Sequence, residues 1–482
     1  MTAASELPRL SPAEVGLSSR AVLDLLDDVE ASGLELHSLM ILRSGGVAVE
    51  GWWTPYRPEL RHLLYSLSKS FVSSAVGLLV SDGRLNLDER LVDVLSRWVP
   101  DVVPARVADM TVRHALTMST GHTVDPIFPM LVWSTENRGQ DWLTGFFGLE
   151  PGAEPGSIFT YDQLATYVLS RIVTERTGER VVDFLRPRLF EPLGIDAPMW
   201  LTDGQGHDWG FSGLHLRTED VARFGQMLLR NGEWDGRQVL PAGWVAEATR
   251  FQVANDRERR AAHDLETNPD WLSGYGYQFW MCRHGFRGDG AHGQFCVVWP
   301  EEDVVIATTA ALEDMQGLLD RIESHLMAGI GEPTATEDGR LAERLDSLAL
   351  PTVPHDEGGP FGPLSVVNDG NGQARRLRAV DVEESPDGWR IGLDLSLGNG
   401  GSTRGELSAG RGRWVEGTWP SEPAMPVAIC GGRIGEVLRL DVAFVQTPHR
   451  LVLDVDPAAG TFNASWPAFP LHGSDPADFA VV

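Results

Sequence analysis

Lysine is almost absent from this chain: of 40 Lys+Arg residues, Lys69 is the single lysine and the rest are arginine. Cysteine is nearly as scarce. Cys282, Cys296 and Cys430 are an odd set without metal-like spacing, which argues against a disulfide framework or a zinc site, and Cys282 and Cys296 read as strand-core residues. No window of about 18 apolar residues suggests a membrane span. The opening MTAASELPRLSPAEVGLSSR has neither a basic start nor an apolar run before a small-residue cleavage site, so the expected location is the cytoplasm. Positive charge is also short. A net charge of −28 disfavours nucleic acid and anionic membranes, both of which require a basic footprint. What remains is an acidic, hydrated chain of 482 residues, 42% hydrophobic, long enough for two or three domains.

Hydropathy patterning divides the chain. Residues 21–32 space apolar side chains as an amphipathic helix, and LHSLMILRSGGVAVEGWW reads as two strands joined by a Ser-Gly-Gly turn. Residues 63–80, LLYSLSKSFVSSAVGLLV, predict a buried helix ending near Gly83 as a C-terminal cap. The region of about 88–250 is mainly helical, residues 273–312 return to strands, and a helix follows. A sheet built from both ends of a unit spanning 1–332, with a helical insertion, accounts for that order. Residues 333–359 read as a linker with a short helix, and 360–482, with short strand patterns between Gly, Pro and Asp turns, as an all-β domain. The fold class expected is α+β with an appended β domain.

The serines at 66, 68 and 70 surround the lone lysine. Side chains three or four residues apart share a helix face, whereas neighbours point about 100° apart, so Ser66 faces Lys69 and the other two do not. Ser66 also lies where the helix is predicted to begin, beside N–H groups and the positive dipole end that suit an oxyanion. A lysine desolvated among apolar groups can lose its proton near neutral pH and serve as a base, and an arginine cannot. The plainer alternative makes Ser66 an N-cap and Lys69 a solvated helix residue.

In this context the chain resembles the serine β-lactamase and penicillin-binding-protein superfamily, specifically its class C-like branch of esterases, including family VIII-type enzymes, and 6-aminohexanoate-dimer hydrolase-like enzymes. The resemblance rests on YSLSKSF, VRHALTMSTGH, PGSIFTYDQLATYVLSRIVTERTG, GFSGLHLRTEDVARFGQMLLRNGEWDGRQVLP and GAHGQFCVVWPEEDVVIATT, and covers about residues 20–330. It implies a β-lactamase-like antiparallel sheet flanked by helices, with an all-helical subdomain. It further implies that Ser66 is the acylated nucleophile, Lys69 its base or proton relay, and Tyr161 a second base. The third member of the Tyr161 motif is usually asparagine and here is Gln163, whose longer side chain bears on the substrate and lysine contacts of that position. The family's strand motif maps to Gly288-Asp289-Gly290-Ala291-His292-Gly293-Gln294. Alignment on Gly290 makes the Ala291 N–H the partner of the Ser66 N–H in an oxyanion hole, and alignment on His292-Gly293 nominates Gln294; the glycines at 288 and 290 favour Ala291. His292 either bonds near the pocket or satisfies a turn.

The same stretch matches Gly-x-Gly-x-x-Gly, but a strand follows where a dinucleotide fingerprint requires a helix. The activity implied is hydrolysis of a small ester or amide through an acyl-enzyme, with no metal and no cofactor. A β-lactamase or D-amino-acid peptidase is the enzymatic alternative, set back because no second lysine exists to form Lys-Thr-Gly. A penicillin-binding-like scaffold without turnover is the other. Residues 122–150 carry Phe128, Trp133, Trp142, Phe146 and Phe147, either a pocket wall or helical packing, and Asp125, Glu136 and Asp141, either selectors of a cationic substrate or solvated acids. Composition does not choose between dimerisation, as a homo-oligomer, and covering of the site as the task of the β domain.

Overall fold

The computed structural model describes residues 6–137, 139–254, 269–358, 361–370, 372–396, 401–473 and 475–476. The hairpin expected near the start is present: Leu36–Arg43 (β1) and Gly46–Trp52 (β2) pair antiparallel. Ser44 and Gly45 take φ of 54° and 81° at their connection, a primed turn whose twist suits a short hairpin. Four strands come from beyond the helical region, namely Trp280–Cys282 (β3), Gly285–Gly290 (β4), Gln294–Trp299 (β5) and Val304–Ala310 (β6). The order is β2-β1-β6-β5-β4-β3, antiparallel at every step. Pairing of β1 with β6, Ile41 opposite Ile306, therefore closes the sheet across the whole helical insertion.

Successive strand residues feed two cores, as the twofold side-chain period requires. Leu39, Ile41 and Ile306 pack with helices Ser19–Ala31 (α1) and Met315–Gly329 (α5), the latter through Leu318, Ile322 and Leu326. Met40, Leu42 and Val305 face the other way, with Phe71 and Val72 of Ser68–Ser81 (α2), Val168 of Gln163–Thr177 (α3) and Phe224 of Thr218–Leu229 (α4). The α2 helix ends as its sequence predicts. Gly83, at φ 65°, lets the Arg84 N–H return to the Leu79 carbonyl at 2.9 Å.

Two local expectations change. Residues Tyr65–Leu67 form a 3₁₀ turn and the α-helix begins at Ser68, two positions later than the serine–lysine spacing suggests. The strand expected across GYGYQFWMCRHG, 274–285, shrinks to β3 because Gln278, at φ 64°, breaks the extended run, and its carboxamide donates to the Ala115 and Leu116 carbonyls at 3.1 and 2.9 Å.

Beyond the helix Asp338–Asp346, nine strands from Leu364–Asn368 to Thr461–Ser465 form a separate all-β barrel. Neighbours are antiparallel except where Val367 pairs with Thr461 and where Gly410 and Arg411 close the cylinder against Cys430 and Gly431. Its core includes Trp389, Trp419 and Leu440, and also two residues from the first sheet's side, Leu63 and Tyr65. The Leu63 N–H donates to the Gln446 carbonyl at 2.8 Å, the Tyr56 hydroxyl to the Thr447 carbonyl at 3.2 Å, and Arg450 pairs with Glu35 at 2.7 Å. No helix among the described residues is long and apolar enough to cross a membrane.

Close approach of β4 to the turn before α2 gives a direct test. A Cβ on Gly290 would lie 2.0 Å from the Leu64 carbonyl oxygen, whereas one on Gly243 meets nothing within 4 Å. Gly290→Ala is expected to lower stability by about 2 kcal/mol or more and Gly243→Ala to change it by under about 0.5 kcal/mol, read from denaturant midpoints.

Candidate active site

The site starts from a backbone outlier. Tyr65 has φ 47°, a left-handed conformation rare for an aromatic residue and worth of order 1–3 kcal/mol in strain. Both sides of its hydroxyl are occupied: it lies 2.6 Å from His449 Nε2 and accepts the Leu471 N–H at 3.2 Å. His449 Nδ1 is 3.0 Å from the Ala468 carbonyl, so that nitrogen carries the proton and Nε2 receives the tyrosine's. The turn so fixed presents Ser66 at the head of α2.

The three serines then separate by their partners. Ser68 is buried, its hydroxyl donating to the Tyr65 carbonyl at 2.6 Å and accepting the Leu214 N–H at 3.0 Å. Ser70 donates to the Gln278 carbonyl at 3.0 Å. Ser66 Oγ lies 2.9 Å from Lys69 Nζ.

Lys69 is 1% exposed, which removes the solvated-helix alternative. Its three ammonium donors have three acceptors: Ser66 Oγ, Gln163 Oε1 at 2.6 Å and the Phe211 carbonyl at 2.8 Å. Burial lowers its pKa to about 7, against the opposing pull of Asp125, Asp289 and Asp162. The ring of Tyr161 stands 4.7 Å from Nζ. Burial also pushes the Tyr161 hydroxyl well above the usual tyrosine range, an effect that Ser66 partly offsets. Tyr161 lies two residues before α3, where Asp162 caps the helix by accepting the Ala165 N–H at 2.9 Å, and Gln163 is the first helical residue. The longer glutamine thus reaches Lys69 from that position.

Strand β4 is the third side. A Cβ on Gly288 would be 2.3 Å from Leu67 and 2.9 Å from the Ser70 hydroxyl, so both glycines let the strand lie against the serine turn. Ala291 follows in the turn to β5, His292 and Gly293 complete it at φ 66° and 88°, and the next element is a strand, which ends the dinucleotide reading. Gln294 is opposite Gly290 in the ladder, its carboxamide tied to the Ala291 and Ala310 carbonyls at 3.0 and 2.7 Å. His292 shapes the turn and donates from Nε2 to the Phe469 carbonyl at 3.2 Å.

Several neighbours escape sequence reasoning. The Phe211 carbonyl is a backbone group and leaves no side-chain signal. Arg287 and Asp289 pair at 2.8 Å, with Arg287 over the Trp271 ring at 4.3 Å, and Trp280 stacks on Tyr161 at 5.3 Å. Alternation along Arg287-Gly288-Asp289 was the available signal, since it puts the two charges on one face. Asp125, raised to about 6 chiefly by burial and next by Asp162, accepts the Gln163 N–H at 3.2 Å. Within 122–150, Phe146 and Phe147 are core and Trp142 packs on Tyr167, whereas Phe128 is 67% exposed. Asp141 is held by Arg171 at 2.9 Å, and the side chains of Trp133 and Glu136 lie outside the described residues.

A sheet closed across a helical insertion, with a serine, a buried lysine and a tyrosine gathered at its edge, defines the class. Residues 27–322 match the Beta-lactamase family, and the chain belongs to that family and is a hydrolase. It is 28% identical over 323 residues to a 6-aminohexanoate-dimer hydrolase of Paenarthrobacter ureafaciens, covering 63% of this chain and 80% of that protein. Penicillin-binding protein 4 of Amycolatopsis lactamdurans is 29% identical over 278 residues, 50% of this chain and 70% of that one. A penicillin-binding protein homolog from Caulobacter crescentus superposes with a TM-score of 0.52 at 17% identity, covering 67% of this chain and 100% of its own. The barrel lies outside the family match.

The serine partners predict a selective result with a fluorophosphonate that reports reactive serines. Labelling is expected to persist in Ser70→Ala, at a stability loss of about 1 kcal/mol, and to vanish in Ser66→Ala. Labelled Ser66→Ala protein, seen by mass spectrometry, would place the reactive serine elsewhere.

Proposed function

We propose that this protein cleaves small carboxylic esters or amides through an acyl-enzyme on Ser66. The observation that carries the reading is the 2.9 Å contact between Ser66 Oγ and a lysine brought to a pKa of about 7 by burial. Near pH 7 roughly half of such lysines are unprotonated, so Lys69 can accept the Ser66 proton as Oγ attacks the carbonyl carbon. Tyr161, held protonated at this pH, suits a relay that passes the proton between Ser66, Lys69 and the leaving group. The Ser66 and Ala291 N–H groups hold the oxyanion, with Gly290 and Gly293 permitting the close backbone path, and Gln163, whose Oε1 holds Lys69, supports the site beside the substrate. Lys69 and Tyr161 then return the proton to the departing alcohol or amine. Water attacks the ester by the reverse route and releases the acid.

The likeness to penicillin-binding proteins motivates a β-lactam or D-amino-acid peptide as the competing substrate. Against it stands the missing second lysine, which leaves no Lys-Thr-Gly side chain to meet an anionic ligand. A scaffold without turnover is disfavoured because a buried lysine aligned on a serine is costly to keep for stability alone.

Nitrophenyl acetate turnover is expected to fall by about 10³-fold or more in Ser66→Ala and by about 10²-fold or more in Lys69→Arg. Unchanged rates in either variant would refute the assignment, and nitrocefin turnover matching the ester rate would favour the lactam reading. Because the neutral amine is the base, kcat/KM should rise through an apparent pKa near 7 and level off above it. A profile flat from pH 5 to 9 would contradict Lys69 as that base.

A further inference from the structure

The segment that leaves the barrel after Thr461–Ser465 crosses onto the hydrolase side and is pinned at three places. The Leu471 N–H donates to the Tyr65 hydroxyl, the Phe469 carbonyl accepts from His292, and His472 Nε2 lies 2.7 Å from the Ser212 hydroxyl. Each anchor adjoins a different side of the site. Tyr65 precedes Ser66, His292 follows Ala291, and Ser212 follows Phe211, whose carbonyl holds Lys69. The His472 ring is wedged between Trp209 at 4.8 Å and Tyr65 at 4.9 Å, and burial keeps it neutral, with its pKa lowered to about 3.

Between these anchors two apolar side chains stay in solvent, Phe469 at 46% and Leu471 at 61% exposure. The described residues include nine exposed large hydrophobics; Phe469 and Leu471 lie on this segment, and Val124 adjoins Asp125, whose carboxylate accepts the Gln163 N–H. A backbone held in place while its apolar side chains remain wet is poorly explained by stability, and apolar patches gathered at a site mark ligand contact.

We propose that Phe469 and Leu471 line the substrate cleft of Ser66 and select an apolar acyl or alcohol group, with His472 a positioning residue that holds them there. The assignment rests on Ser66 being the acylated nucleophile. It makes the barrel a contributor of substrate contacts to the hydrolase domain, and it favours medium-chain esters over acetates.

The test uses the full chain with nitrophenyl acetate, butyrate and octanoate. Leu471→Asp and Phe469→Asp should each lower the octanoate-to-acetate ratio of kcat/KM roughly tenfold, carried by KM more than by kcat. His472→Ala should lower the ratio in the same direction, and His472→Gln, able to keep a bond to Ser212, should restore part of it. Ile434→Asp, at an exposed apolar position of the barrel away from these anchors, should keep the parent ratio. An unchanged ratio in both Leu471→Asp and Phe469→Asp, with Ser66→Ala inactive, overturns the cleft assignment and leaves the hydrolase reading standing. Full turnover in Ser66→Ala overturns both.

Discussion

The structure around the site depends on keeping one ammonium group out of water. Transfer of an isolated charge into an apolar interior costs several kcal/mol even after relaxation, so Lys69 is tolerable only where its donors are matched. The three acceptors belong to three remote stretches of chain, the turn before α2, the first residue of α3 and the loop carrying Phe211. Matching them fixes those stretches to one another. The same confinement sets the lysine's pKa at about 7, because burial lowers it while the carboxylates of Asp125, Asp289 and Asp162 oppose the shift. Arginine would stay charged and its planar fork would not fit three convergent acceptors.

Around that group the fold supplies two rigid boundaries. Glycines 288 and 290 let β4 touch the serine turn where any larger residue would collide with Leu67 or the Leu64 carbonyl. On the opposite side Tyr65 holds a left-handed backbone conformation because its hydroxyl is bonded to His449 and Leu471. The barrel therefore reaches the site through the residue next to Ser66, and Leu63 and Tyr65 are as much part of its core as of the hydrolase side.

Much of this arrangement was legible in the sequence, and the losses have physical causes. Period-two strands, the Ser44-Gly45 turn and the apolar helix after Lys69 are local patterns, and local patterns carry the sheet, the hairpin and α2. That Ser66, rather than Ser68 or Ser70, meets Lys69 followed from three-residue spacing, which a 3₁₀ turn preserves as well as an α-helix does, so the shifted helix start did not disturb the contact. Gln163 reached Lys69 despite its extra methylene because it stands at the first helical position. What the sequence hid were backbone acceptors such as Phe211 and contacts between distant segments such as His292 with Phe469. Neither leaves a periodicity.

The bond between Tyr65 and Leu471 joins positions 406 residues apart in the chain. On a ribosome adding about 5–20 residues per second, roughly 20–80 s separate the making of the tyrosine from the making of its partner. Through that interval the backbone at Tyr65 has only its intrinsic preference, which for an aromatic residue runs against a positive φ. Order at the turn bearing Ser66 is in this sense acquired long after α2 itself has been synthesised, once the segment carrying Leu471 exists.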